Sequence, residues 1–157
     1  VDGEAVYEDF AEYLHNNLAN IKVVQVQFMT LREYMQSVLI SASEYLQRAI
    51  PAVEQLANTI YTQVDSDAWQ QISQLIEGIQ WLQNSYQAMD KLPNLASLVN
   101  DYAQWNLYSQ ALSELVETVT TISEPLQYAD QVSVGDIMLY EIKPAMEKLN
   151  NTLSLLI

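Results

Sequence analysis

The chain has 157 residues, of which 50% are apolar and 17% charged, which suits one domain with its own core and excludes a chain that stays disordered throughout. Twenty acids against 6 lysines and arginines give a formal charge of -14, a field that repels nucleic-acid phosphates and anionic lipid surfaces and disfavours direct binding to either. The absence of cysteine excludes disulfides, thiolate nucleophiles, Cys-type zinc sites and iron–sulfur clusters. No apolar run reaches the roughly 18 residues of a membrane span, and Val1, Asp2, Gly3 and Glu4 do not resemble a signal peptide, so a cytoplasmic protein is expected.

Val6, Phe10, Tyr13, Leu14 and Leu18 recur at helical spacing and predict a short amphipathic helix from Glu4 to about Ala19, closed by Asn16, Asn17 and Asn20. From Ile21 to Met29, Val24, Val26 and Phe28 alternate with Gln25 and Gln27, which predicts a strand. A strand needs a partner, either at the extreme N-terminus or in a second copy of the chain. The other reading of this stretch is an extended apolar linker packed on helices.

Thr30 and Glu33 have capping-box spacing and start a long helix, with a stripe through Leu31, Met35, Val38, Ala42, Tyr45, Ala49, Val53, Leu56 and Ile60. Pro51 predicts a kink rather than a break, because no polar turn residues precede it. Val64, Asp65, Ser66 and Asp67 predict a turn, followed by a regular helical stripe at Ala68, Ile72, Leu75, Ile79, Leu82, Tyr86 and Met89. Gly78 inside it suits the close approach of a neighbour.

A turn at Asp90 to Asn94 precedes a helix carrying Leu95, Leu98, Tyr102, Trp105, Leu112, Val116 and Val119, which ends near Ser123 and Pro125. After an irregular stretch, Ser133 and Asp136 repeat the capping-box spacing and open a last helix with Leu139, Ile142, Met146, Leu149, Leu153 and Leu156, kinked at Pro144. The fold expected is mainly α: an antiparallel up-and-down bundle of about four long helices over residues 30–157, with residues 1–29 as a helix-and-strand appendage to a single domain.

The sequence holds no catalytic constellation. Glu12 and His15 have the Glu-x-x-His spacing of carboxylate-bridged metal sites, but His15 is the chain's lone histidine and the second half is missing. Gly3, Gly78 and Gly135 stand apart from one another, so no glycine loop cradles phosphate. No metal, cofactor or catalytic residue is therefore predicted. Glu141, beside Tyr140 and just before Pro144, is a mild candidate for an acid or base, or else lies on the exposed side of its helix or pairs with Lys143 or Arg48.

Among the aromatics, Tyr45, Tyr86, Tyr102 and Trp105 fall at core positions, while Trp81 and Tyr108 lie off the stripe and are candidates for a partner surface. Asp136 to Pro144, with Tyr140, Glu141 and Ile142, together with Glu44, Tyr45, Leu46 and Pro51, resembles an uncharacterised family of small acidic helical proteins from Gram-positive bacteria. The resemblance implies a cytosolic helical fold and carries over no activity.

The function expected is a non-enzymatic interaction module binding a protein partner or a second copy of itself, with Val24, Val26, Phe28, Trp81 and Tyr108 as candidate contacts and no nucleic acid or membrane involved. One rival is a bundle or enzyme that holds a small molecule in an apolar pocket lined by tyrosines and Glu141. The other is an acidic mimic of nucleic acid, for which the sequence offers only a modest cluster at Asp2, Glu4, Glu8, Asp9 and Glu12.

Overall fold

The computed structural model describes residues 1–2, 6, 10–26, 28–62 and 66–157. The protein is mainly helical and divides into two compact units, Val1–Thr30 and Leu31–Ile157.

In the first unit, α1 spans Phe10–Asn17. Val6 lies outside it, and Gly3, Glu4, Glu8 and Asp9 fall outside the described residues, so the longer helix expected from Glu4 is seen only from Phe10 onward. Asn17 closes α1 as expected: its side-chain amide donates to Tyr13 O at 2.9 Å and its carbonyl accepts from Asn20 N.

The expected strand is absent among the described residues of Ile21 to Met29, which carry no regular secondary structure; Gln27 lies outside them. The physical reason is local. Asp2 N donates to Val23 O at 2.9 Å, and the Asp2 carboxylate accepts from Lys22 N and Val23 N at 3.1 and 2.7 Å. A side chain thus satisfies donors that a ladder would otherwise use, and no second strand lies beside them among the described residues.

In the second unit, α2 covers Leu31–Ile60, starting directly after the predicted cap Thr30 and running through Pro51 without a break. Its buried face, Met35, Leu39, Ala42, Leu46, Val53, Leu56 and Ile60, recurs at three- and four-residue steps, save for the longer gap across Pro51, and packs against α3 (Ser66–Asp90) and α8 (Lys143–Leu153). Val64 and Asp65 of the predicted turn fall outside the described residues, while Ser66 and Asp67 belong to α3. The stripe of α3 is buried as its spacing predicts, with Tyr86 half-buried. Tyr45 lies over Gly78, where an added Cβ would meet Tyr45 Oη at 2.0 Å, so the glycine does admit a close neighbour.

The single helix expected from Leu95 to Ser123 is three. A short α4 (Leu95–Leu98) ends as Val99 turns extended; α5 (Tyr102–Thr121) starts afresh, with the Asp101 side chain accepting from Ala103 N at 2.8 Å; and α6 covers Ser123–Gln127. Asp101 is a better start signal than the apolar spacing across it, because its carboxylate satisfies an orphan N–H. Pro125 sits in the first turn of α6, where its missing N–H costs nothing. Packing joins α5 to α3 and α8.

The last helical run begins with α7 (Gln131–Ile137), and its cap is Asp130 rather than Ser133: Asp130 accepts from Ser133 N and Ser133 Oγ at 3.1 and 2.6 Å. Between α7 and α8 lies a π turn, Met138–Ile142, closed by Lys143 N donating to Met138 O. Where a kink is expected at Pro144, the helix carries this wider turn just before the proline. A proline in an α-helix clashes with the carbonyl four residues back, and the wider turn separates them.

The apolar pattern calls for the same turn. Val134, Met138, Ile142 and Met146 are buried at three successive four-residue steps. Each step overshoots the about 3.6 residues of an α-helical turn, so three leave the stripe roughly one residue out of phase, which one wide turn absorbs. Across the interior, Ser43 Oγ donates to Asn150 Oδ1 at 3.2 Å and accepts from Gln47 Nε2, joining α2 to α8.

Candidate functional site

Where α2 ends and α3, α6 and α7 begin or end, the side chains leave a shallow apolar cleft of about 290 Å³, including the part open to solvent. Ile60 comes from the last turn of α2, Trp69 and Ile72 from the first turns of α3, Leu126 from α6, and Ala129, Gln131 and Val134 from the link into α7 and from α7 itself. Trp69 remains 42% exposed, and Tyr128 and Val132, beside the lining residues Ala129 and Gln131, are 72% and 61% exposed. Trp69 thus leaves apolar surface in water on the lining of an apolar recess, a combination that marks contact sites.

The backbone here is held in an uncommon shape. Ala129 has φ 53, in the left-handed region, where it terminates α6: Ala129 N donates to Leu126 O at 3.2 Å and Asp130 N to Pro125 O at 2.9 Å. This paired closure usually carries glycine, and alanine there costs about 1–2 kcal/mol. The strain turns Asp130 into place as the cap of α7. Its hydrogen bonds from Ser133, side chain first and backbone second, hold the Asp130 carboxyl below the usual carboxylate range.

Beside the cleft, Tyr61 Oη donates to Asp136 Oδ1 at 2.5 Å. The ring fits because position 135 is glycine; a Cβ there would lie 2.8 Å from Tyr61 ring carbons. The bond to Asp136, followed by partial desolvation and the charges of Asp136 and Tyr140, pushes the Tyr61 phenol up to about 12. Asp67, Glu124, Asp130 and Asp136 are all exposed within the two stretches that build the cleft, 60–72 and 124–136, and neither stretch contains a lysine or arginine.

Of the residues singled out from sequence, Val24, Val26 and Phe28 are exposed, Phe28 to 93%. Trp81 is 41% exposed and braced edge-on by Tyr45, with ring centroids 6.1 Å apart. Tyr108 is 0% exposed and is withdrawn as a surface contact: its ring packs 5.7 Å from both Tyr86 and Trp105, and burial raises its phenol pKa. Tyr102, expected in the core, is 49% exposed.

Glu141 is exposed, and Lys143 binds Glu54 at 2.8 Å and approaches Glu147 instead. Glu12 and His15 are exposed on α1, and no group of His, Asp or Glu among the described residues is arranged to hold a metal ion. Two further clefts exist, one around Arg32 and Leu156, the other around Asp2 and Tyr13; Glu141 lines neither. Arg32 is tied down, donating to Ser97 O at 2.6 Å and Asn100 Oδ1 at 3.0 Å. No described helix is long and apolar enough to cross a membrane.

Sequence reasoning missed Tyr61, Trp69, Tyr128 and Val132. Trp69 and Val132 are off their helical stripes, a usable signal, but nothing local shows that four elements bring them to one recess. No curated protein and no solved structure is significantly similar to the chain. Residues 37–152, most of the chain and nearly all of the second unit, match the family described as a domain of unknown function (DUF8042), and the chain belongs to that family.

Proposed function

We propose that this chain is a non-enzymatic helical protein that acts by contact with another protein, and that the partner seats an apolar side chain in the cleft between Ile60, Trp69, Leu126 and Val134. The observation that carries the reading is Trp69, 42% exposed on the lining of an apolar recess. Exposed aromatics desolvate large areas at low entropic cost, which is why they dominate interface energies. The cleft is shallow and open to solvent rather than enclosed, which favours a protein contact over an enclosed small-molecule pocket there.

We read the four long helical runs as an antiparallel up-and-down bundle, supported by the packing of α2 on α3 and α8 and of α5 on the same two. A second mode of contact, self-association through Ile21 to Met29, is favoured by the exposure of Val24, Val26 and Phe28 on an extended stretch. Sedimentation tests that part, and a monomer at every concentration removes it.

The cleft reading is tested by crosslinking in the native host with wild type, a Trp69→Ser/Tyr128→Ser double variant, and Leu107→Ser, 48% exposed on α5, as a surface control. Proteins captured by wild type and by Leu107→Ser, and lost in the double variant, are the expected result. Equal capture by all three overturns the reading.

A further inference from the structure

We infer that the segment filling this cleft is basic: an apolar anchor flanked by lysine or arginine. The inference rests on the cleft being a docking site and adds the chemistry of its occupant. Its ground is charge complementarity. The recess itself is apolar, and every charged side chain in the two stretches that build it is acidic, with Asp67, Glu124, Asp130 and Asp136 all exposed.

Two of these acids are held in place. Asp130 is fixed by Ser133 and kept ionised by those bonds, and Asp136 is fixed by Tyr61. Carboxylates already oriented lose little entropy on meeting a cation, and beside a desolvated apolar contact their field is less screened than on open surface. Among the described residues, the lining of the cleft holds no lysine or arginine. Lys143 is engaged by Glu54 and Glu147, Lys148 by Glu114, and Arg32 by Ser97 and Asn100.

The other occupants fit less well. A second copy of this chain carries the same charge of -14, so its approach to an acidic rim is opposed. An acidic or phosphorylated segment meets the same repulsion.

The test uses the full chain and three labelled peptides of equal length, read by fluorescence anisotropy. One has a central Phe and Leu flanked by lysines, the second replaces the lysines with glutamates, and the third keeps the lysines but replaces Phe and Leu with serine. The first is expected to bind at least about tenfold more tightly than the others, more weakly as salt rises, and about tenfold more weakly to Trp69→Ser. Neutralising the rim by Asp67→Asn, Glu124→Gln, Asp130→Asn and Asp136→Asn keeps the caps and should remove most of the salt dependence. The remote set Glu44→Gln, Glu77→Gln, Glu117→Gln and Glu141→Gln should not.

Trp69-dependent binding of the glutamate peptide as tight as that of the lysine peptide overturns the basic partner and leaves the docking site standing. Equal salt dependence in the rim and remote sets overturns it too, since the charge effect is then the whole protein's. If no peptide binds in a Trp69-dependent way, the docking reading fails with it. A dimer in sedimentation that Trp69→Ser dissociates identifies a second copy as the occupant and overturns the basic partner.

Discussion

Two groups of aromatic side chains in the helical unit meet opposite fates. Tyr86, Trp105 and Tyr108 close on one another, with Tyr86 and Trp105 stacked at 5.3 Å; Trp105 Nε1 donates to Asp90 at 3.1 Å and Tyr86 Oη to Ser109 at 2.7 Å. Trp69 on the cleft lining, and Tyr61 and Tyr128, next in sequence to the lining residues Ile60 and Ala129, stay exposed to water. The difference teaches that aromatic content alone says nothing of role. The closed group buries its rings and ties Trp105 Nε1 and Tyr86 Oη to internal partners, whereas the open group leaves its rings in contact with solvent.

The comparison breaks most readily at its two tryptophans. Trp105→Ala empties a site 1% exposed and should cost about 3–5 kcal/mol, whereas Trp69→Ala should cost under about 1 kcal/mol, both read from urea midpoints. Equal costs would make Trp69 a core residue and dissolve the open group. A smaller effect sharpens the closed group. The Tyr108 hydroxyl is buried with no hydrogen-bond partner, so Tyr108→Phe should be neutral or stabilise by about 1 kcal/mol, where a hydrogen-bonded buried tyrosine would lose that much.

The smallest effect is spectroscopic. Tyr61 should titrate near 12 in phenolate absorbance, and Asp136→Asn should return it towards 10.0. Because the folded state holds this proton more tightly than the unfolded, the contribution of Tyr61 is complete below pH 10.0 and fades as pH rises through about 12.

Much of the fold was legible because α3 keeps an unbroken four-and-three alternation from Ala68 to Met89, and burial follows it. The failure at Tyr102 has a local cause, whereas Tyr108, three residues after Trp105 and four before Leu112, fits the expected stripe and was legible. Reading Leu95 to Ser123 as one helix carried the phase of Leu98 into Tyr102, but Val99 is extended and Asp101 starts a new helix, so the earlier phase means nothing beyond it. The true face runs Trp105, Tyr108, Leu112, Leu115 and Val119. The cleft was illegible for a different reason: Ile60, Trp69, Leu126 and Val134 meet only through tertiary packing, which no local spacing encodes.

The π turn before Pro144 amounts to a spare residue stored in a helix. Losing one residue from a helix normally swings everything downstream by about 100°, turning a buried face outward. Here a chain shortened by one between Met138 and Ile142 relaxes to an ordinary helix with its apolar faces in line on both sides, and only Pro144 objects, since its ring again meets the carbonyl four residues back. Length variation in this family is therefore easiest to accommodate at this turn, with loss of the residue and loss of the proline expected to travel together.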